Sequence, residues 1–409
     1  MRKFKLAHIL FTIAFIFIFL LLPKSITTPS QYGNTVFVVG MGIDKGQSSN
    51  LTLSAQIVAA KPNAAASESY QIASAEGNDL LDAMENLRKQ LGKNLGLSHC
   101  YVVVVSDDIC NEYNLVSLLD PLVRTERLGT NVILTHTTNK AQELLLACEE
   151  IGGDAQNVLE SLTKYNYEYI LNRDASIYDF YKDYLSPAST SLIVTINSEK
   201  QEEQSSIPSS GAQNNNNEQQ KSPNSTKPQN KIKNEGSATA FYNGKKVANV
   251  SPEILRGLGW LDCSSKYNNI KLEHINTQKL DNATITLNQK DCTAKFKASI
   301  NNNTPTLYVN LEIKAKVVGI ESPNIINVSD ISHYFDTQFN QKLQTLVSKE
   351  VATATEFQQQ NKLDILNYYK IFNTQIHSEW QKYLNTLPNK HEYTQKIQVF
   401  VKTNLVQVN

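Results

Sequence analysis

Seventeen consecutive residues, Leu6 to Leu22 (LAHILFTIAFIFIFLLL), carry no charge, and only His8 and Thr12 among them are polar. A bilayer core about 30 Å thick is spanned by about 17–25 apolar residues in a helix, so this run is long enough to cross one. Arg2, Lys3 and Lys5 precede it, and a basic flank of this kind stays cytoplasmic. Residues 1–31 are therefore expected to form a cytoplasmic basic tip, a transmembrane anchor and a connector. The remainder is expected on the outer side of the membrane. A secretory signal has a shorter apolar core followed by a small-x-small site, a pattern missing from PKSITTPSQYG. Cleavage near Ser25–Ser30 is the alternative to an uncleaved anchor. A lipid-bearing cysteine would stand just after the apolar run, and the first cysteine in the chain is Cys100.

The other 378 or so residues leave room for two or three domains. Lys and Arg number 39 and so do Asp and Glu, so the net charge is zero. This balance lacks the basic footprint of a nucleic-acid binder. The five cysteines, at 100, 110, 148, 263 and 292, show no C-x-x-C and no zinc-ligand spacing. Most read as buried small apolar residues, although an exported chain is free to pair them.

Thr35–Gly40 is β-branched and aromatic, as a buried strand should be, and Leu51–Ala59 alternates with period two. A turn rich in Gly, Asp, Lys and Ser joins them, which predicts a hairpin. Lys61–Glu76 reads as a loop and Asn78–Leu95 as an amphipathic helix capped by Asn78 or Asp79. Strands at His99–Val105, Asn131–Thr137 and Ser191–Ile196 alternate with helices at Val116–Arg124, Ala141–Glu149, Ala155–Leu171 and Ser176–Leu185. The fold class is therefore α+β, with two or three mixed-sheet domains covered by helices. The first domain is expected over 32–196, with a possible internal break near 138–155.

Residues 197–236 contain almost no large apolar side chain and read as a disordered polar linker. After it, a C-terminal domain is expected over 237–409. It opens on GSATAFY-Asn243-Gly244-KKVANV, a hairpin with a type I′ turn, and a short helix started by Ser251 and Pro252. Strands are predicted at Ala283–Asn288, Ala294–Ile300 and Thr306–Val318, long helices at Ile331–Gln359 and Ile365–Leu384, and a last strand at Gln395–Val408.

These residues carry a resemblance. VFVVGMGIDKG…LTLSAQIV resembles the N-terminal signature of the Ger(x)C family, the C subunits of bacterial spore germinant receptors. GSATAFYNGKKVANVSPEILRGLGWL is similar to the family's second signature, with Gly257 and Trp260 at its later positions. Leu311–Glu321, the DIL of Asp364–Leu366 and Trp380 match its C-terminal part. Three departures stand out, the first being Ala248-Asn249 where the second signature usually has a small residue and Gly. The family's lipobox cysteine is absent, so a protein anchor would replace the lipid, and the 197–236 segment is long. The resemblance implies a non-enzymatic, extracytoplasmic subunit in the spore inner membrane. Its implied partners are the A- and B-type membrane subunits, which sense nutrients and pass ions. The competing functional class is a membrane-tethered protein that captures a small solute or peptidoglycan fragment.

No catalytic, cofactor-binding or metal-binding set emerges from the residues. Gly40-x-Gly42 lacks the third glycine of a dinucleotide loop, with Lys45 in its place, and a strand follows instead of a helix. Asp44 reads as a turn residue bonding backbone N–H groups. Ser161 and Lys164 fit S-x-x-K without the partner motifs of a serine acyltransferase. His333, His377 and His391 read as surface or capping residues. Arg124, Glu126 and Arg127 read as a solvated loop. The tyrosines 165, 167, 169, 178, 181 and 184 suit either helix packing or a partner interface.

Overall fold

The computed structural model describes residues 34–59, 69–124, 128–129, 131–151, 155, 157–162, 176–200, 230–263, 269–323 and 326–408. The apolar run Leu6–Leu22 lies outside them. Among the described residues no helix is long and apolar enough to cross a membrane.

Two sheets organise the fold, which is α+β. The first has nine strands in the order β3-β2-β1-β5-β6-β7-β8-β9, with β4 (Asn94–Gly96) beside β1. Its centre is parallel: β1 (Thr35–Lys45), β5 (Val102–Ser106), β6 (Ile133–Thr137) and β7 (Thr190–Lys200) run the same way. Both flanks are antiparallel. On one side lie β2 (Leu51–Ala59) and β3 (Ser69–Gly77), on the other β8 (Asn230–Tyr242) and β9 (Lys245–Val250). The second sheet, in the order β10-β11-β12-β13, is built from Ile270–Ile275, Ala283–Asn301, Thr304–Glu321 and Gln398–Gln407.

Helix α1 (Leu80–Leu91) starts where the Asp79 carboxylate accepts from the Asp82 N–H, and it ends at Gly92, whose φ of 62° suits a left-handed cap. Helices α2 (Asp107–Glu112), α3 (Leu115–Arg124), α4 (Ala141–Glu150) and α5 (Ile177–Tyr184) cover the parallel strands. Helix α6 (Pro252–Asp262) leads out of the first sheet, and α7 (Asn340–Asn361), α8 (Tyr368–Gln375) and α9 (His377–Leu384) pack on the second.

Several expectations shift. Gly40 and Gly42 lie inside β1, which continues to Lys45. They are there because helices come close: a Cβ on Gly42 would meet that of Ala141 at 3.0 Å, and one on Gly40 would meet that of Ala155 at 2.9 Å. Part of the expected loop 61–76 is strand β3. The two strands predicted at 283–300 are one, β11, bent by a bulge between Gln289 and Asp291. The helix expected over 365–384 breaks at Ile376 (φ −136°). Helices expected over 155–171 are described only as far as residue 162.

The expected linker 197–236 starts and ends inside strands. β7 extends to Lys200, β8 starts at Asn230, and the two pair from Thr190↔Tyr242 to Lys200↔Asn230 with a register shift between Thr195 and Asn197. Residues 201–229 lie outside the described residues. The hairpin assigned by sequence to the C-terminal domain thus completes the N-terminal sheet. The polar composition of the segment marks a break in core-forming sequence, but composition carries no information on which strands its two ends join.

Candidate functional site

The strongest cluster of chemically active side chains sits where this hairpin joins the first sheet. His136 on β6 is fully buried. Its Nε2 lies 3.0 Å from Asp107 Oδ1, and its Nδ1 lies 3.1 Å from Thr195 Oγ1 and 3.0 Å from Thr239 Oγ1. A carboxylate only accepts, so Nε2 carries the proton and Nδ1 accepts from a threonine hydroxyl. Lys246 on β9 forms an ion pair with the same Asp107 oxygen. Burial lowers the imidazole pKa, opposed in part by Asp107. The His136 hydrogen bond holds the Asp107 carboxyl far below the usual carboxylate range, and Lys246 acts in the same direction.

Asp, His and Thr in this order have the connectivity of a nucleophile relay. The hydroxyls, however, point into the sheet: Thr239 is 0 % exposed and Thr195 5 %. Buried in this way, the cluster ties the strands of the sheet together. Four elements meet at one imidazole and β9 joins them through Asp107, so two of the five, β8 and β9, come from residue 230 onward.

Three further contacts close the same seam. Asp364, buried after α7, accepts from the Tyr368 N–H (2.6 Å), the Tyr369 N–H (2.9 Å) and the Tyr393 hydroxyl (2.6 Å). Burial raises its pKa against those bonds, while its own N–H donates to Thr190 Oγ1 at 3.2 Å. His391 stacks on Tyr242 of β8 at 4.2 Å and bonds the Lys362 carbonyl through Nε2 at 2.6 Å. On α7, Glu350 accepts from Trp260 Nε1 (2.6 Å) and Arg256 Nε (3.1 Å) of α6. Gly257 lets α6 lie against the Glu350 carbonyl. One apolar cluster runs through this seam, from Leu144 and Val194 through Ala238, Val250 and Leu258 to Ala354, Leu363 and Ile365.

The residues singled out by sequence do not assemble. Asp44 does bond backbone N–H groups, but those of Ala141 (2.7 Å) and Gln142 (3.0 Å), at the start of α4 and 97 and 98 residues away. Burial raises its pKa and the two N–H bonds oppose this. Lys45 pairs with Glu112 at the surface. Ser161 is exposed, and Lys164 lies outside the described residues, as do Glu126, Arg127 and tyrosines 165, 167 and 169. Arg124 bonds Asp120 one helical turn away at 2.6 Å. His333 lies tilted against Tyr334, and His377 bonds Asn373 at 2.9 Å, both at the surface; His391 instead belongs to the seam. Tyr181 donates to the Val116 carbonyl at 3.0 Å, Tyr184 is half-buried and Tyr178 is exposed. Cys263 and Cys292 form a disulfide, and Cys100, Cys110 and Cys148 are buried thiols. Among the described residues no group of three or more His, Cys, Asp or Glu is placed to hold a metal ion.

Sequence reasoning missed Asp107, His136, Thr195, Thr239 and Lys246. The one available signal was Thr-His-Thr in a strand of otherwise apolar neighbours, where a histidine needs partners from other strands.

Two family models cover most of the chain. Residues 31–198 match the spore germination protein N-terminal domain, and residues 235–408 match the domain described as spore germination B3/GerAC like, C-terminal. Their boundary falls between β7 and β8, so the His136 cluster joins one module to the other. The crystal structure of the GerBC protein is similar over 90 % of this chain and 97 % of that one, with a TM-score of 0.53 at 13 % identity, a likeness of fold. No curated protein matches the chain. The chain belongs to the Ger(x)C family of spore germination proteins.

Proposed function

We propose that this protein is the membrane-anchored, extracytoplasmic C subunit of a nutrient germinant receptor in the spore inner membrane. In this reading it works without catalysis and supports the assembly or response of the A- and B-type membrane subunits. The seam carries the proposal. A chain whose reactive groups are spent on locking two modules together presents one rigid body, suited to holding partners in fixed geometry. Family membership supplies the setting. The Cys263–Cys292 disulfide favours an oxidising compartment, in agreement with the outer side of the membrane. The Leu6–Leu22 anchor would raise the local concentration of the globular part at membrane partners.

The test is crosslinking and capture of a C-terminally tagged chain from purified spores. Recovery of A- and B-type subunits, lost when Leu6–Leu22 is replaced by a cleavable signal, is the expected result. Abundant protein in the spore membrane that captures neither subunit overturns the proposal.

A further inference from the structure

The outer face of the second sheet ends in an aromatic corner that the seam does not use. Register places Tyr308 of β12 directly beside Phe400 of β13, and their rings stack at 5.5 Å with an interplanar angle of 20°. Both face solvent, at 40 % and 52 % exposure. Lys297 of β11 stands opposite Tyr308, and Lys295, Asn310 and Lys402 form the next row. All three lysines are exposed. The carboxylates of this face lie farther along, where Glu312 follows and Asp291 bonds Lys314 at 3.1 Å. Lysines thus run along this face, and the aromatic pair stands with three of them at one end.

The position of this corner also matters. β1 and β7 run in the same direction, so their starts at Thr35 and Thr190 lie along one edge of the first sheet. From that edge Thr190 contacts Asp364, and Tyr242 stacks on His391. At the end of α7, Gln359 Nε2 donates to the Ile397 carbonyl, one residue before β13 begins. Ile397, three residues before Phe400, therefore lies beside the seam, and the aromatic corner follows it on the outer face.

We propose that this corner docks on the anionic surface of a phospholipid bilayer. The rings of Tyr308 and Phe400 enter the headgroup zone, and Lys295, Lys297 and Lys402 contact lipid phosphates. Tyrosine settles at that depth, the apolar Phe400 ring beside it can enter with it, and lysines near it are drawn to anionic lipid. The docking rests on the anchored reading above, and it would fix the tilt of the whole rigid body against the membrane.

The full chain in lipid nanodiscs tests this. Phe400→Trp introduces an indole at the corner, whereas the native Trp260 and Trp380 are buried and set the baseline. In discs of brominated phosphatidylglycerol the added emission should be lost. It should persist in discs of brominated phosphatidylcholine, and it should return in phosphatidylglycerol when Lys295, Lys297 and Lys402 are changed to Glu. If Phe400→Trp disturbs folding, Tyr308→Trp reads the same corner. A chain that does not co-purify with the discs overturns the anchored reading and the docking with it. Co-purification without quenching overturns the docking alone and leaves the face to a protein partner. Equal quenching in both lipids overturns the role of the lysines.

Discussion

The indole N–H of Trp260 donates to Glu350 at 2.6 Å, joining two helices whose residues are 90 positions apart in the chain. The bond is buried, and Arg256 shares the same carboxylate at 3.1 Å. Replacing the carboxylate removes two charge-assisted or buried acceptor contacts at once. Glu350→Ala should therefore destabilise the protein by about 2–4 kcal/mol, and Glu350→Gln by less, because an amide oxygen still accepts from the indole. Gly257→Ala tests the same contact from the other side. Its Cβ would overlap the Glu350 carbonyl oxygen and lie 2.7 Å from the Ala354 Cβ, so the helices must separate, at a cost of about 1–3 kcal/mol. Urea midpoints at unchanged m-value measure both.

Acid should loosen the seam, and the sign follows from His136 and His391. Burial lowers both imidazoles below their ordinary 6.5. As pH falls through 6.5 the unfolded chain takes up protons at both rings before the folded chain does, so stability declines from pH 7 toward pH 5. The slope approaches about 1.4 kcal/mol per pH unit for each fully shifted ring. Asp107, lowered, adds a loss only below 3.8. Asp44 and Asp364, raised by burial, act the other way above 3.8: the folded state keeps a proton that the unfolded state releases, and stability falls as pH rises through that window. Melting temperatures of wild type and His136→Gln between pH 5 and 7 separate the contributions. The variant should decline less steeply, and parallel curves would remove His136 from the account.

Reduction should weaken the C-terminal half. Cys263 and Cys292 are 29 residues apart, and cross-linking a loop of that length stabilises by about 3–4 kcal/mol in the chain-entropy description. Cys263→Ser with Cys292→Ser should lower stability by a similar amount. Native protein should resist alkylation, since burial pushes the Cys100 and Cys110 thiols up to about 12. Mass spectrometry of alkylated native and unfolded protein reads both outcomes.

The edge of β13 should become adhesive when α7 is altered. Gln344 accepts from the Thr403 N–H at 2.6 Å and donates to the Val401 carbonyl at 2.9 Å, and Asn340 accepts from the Leu405 N–H at 3.1 Å. These side-chain amides stand in for the strand that the edge lacks. Gln344→Leu should cost about 1–3 kcal/mol and promote self-association through the bared edge. Sedimentation velocity would detect it; a strictly monomeric variant would argue against the amide ladder.

Local features were legible where the signal was local. The cap at Asn78 or Asp79, the Asn243-Gly244 turn (φ 50° and 74°) and the Ser251-Pro252 helix start all depend on residues a few positions apart. The seam was not legible, because 107, 136, 195, 239 and 246 share no spacing and meet only once the strand order is known. Asp44 shows the boundary between the two cases. Its chemistry, a carboxylate on backbone N–H groups, followed from residue type, but its partners at 141 and 142 depend on β1 lying beneath α4. The break at Ile376 and the edge strands β3 and β10 likewise answer to tertiary neighbours, which override weak local preference.

The pairing of Lys200 with Asn230 has a consequence for how such chains diversify. Whatever stands between those two positions enters and leaves at a single rung of one ladder, and the closure entropy of a loop grows only with the logarithm of its length. The 201–229 interval is thus a port into which sequence can be inserted, shortened or exchanged with little effect on either module. A single proteolytic nick there would yield two polypeptides still interleaved as strands of the same sheet, a natural split protein whose halves part only on denaturation.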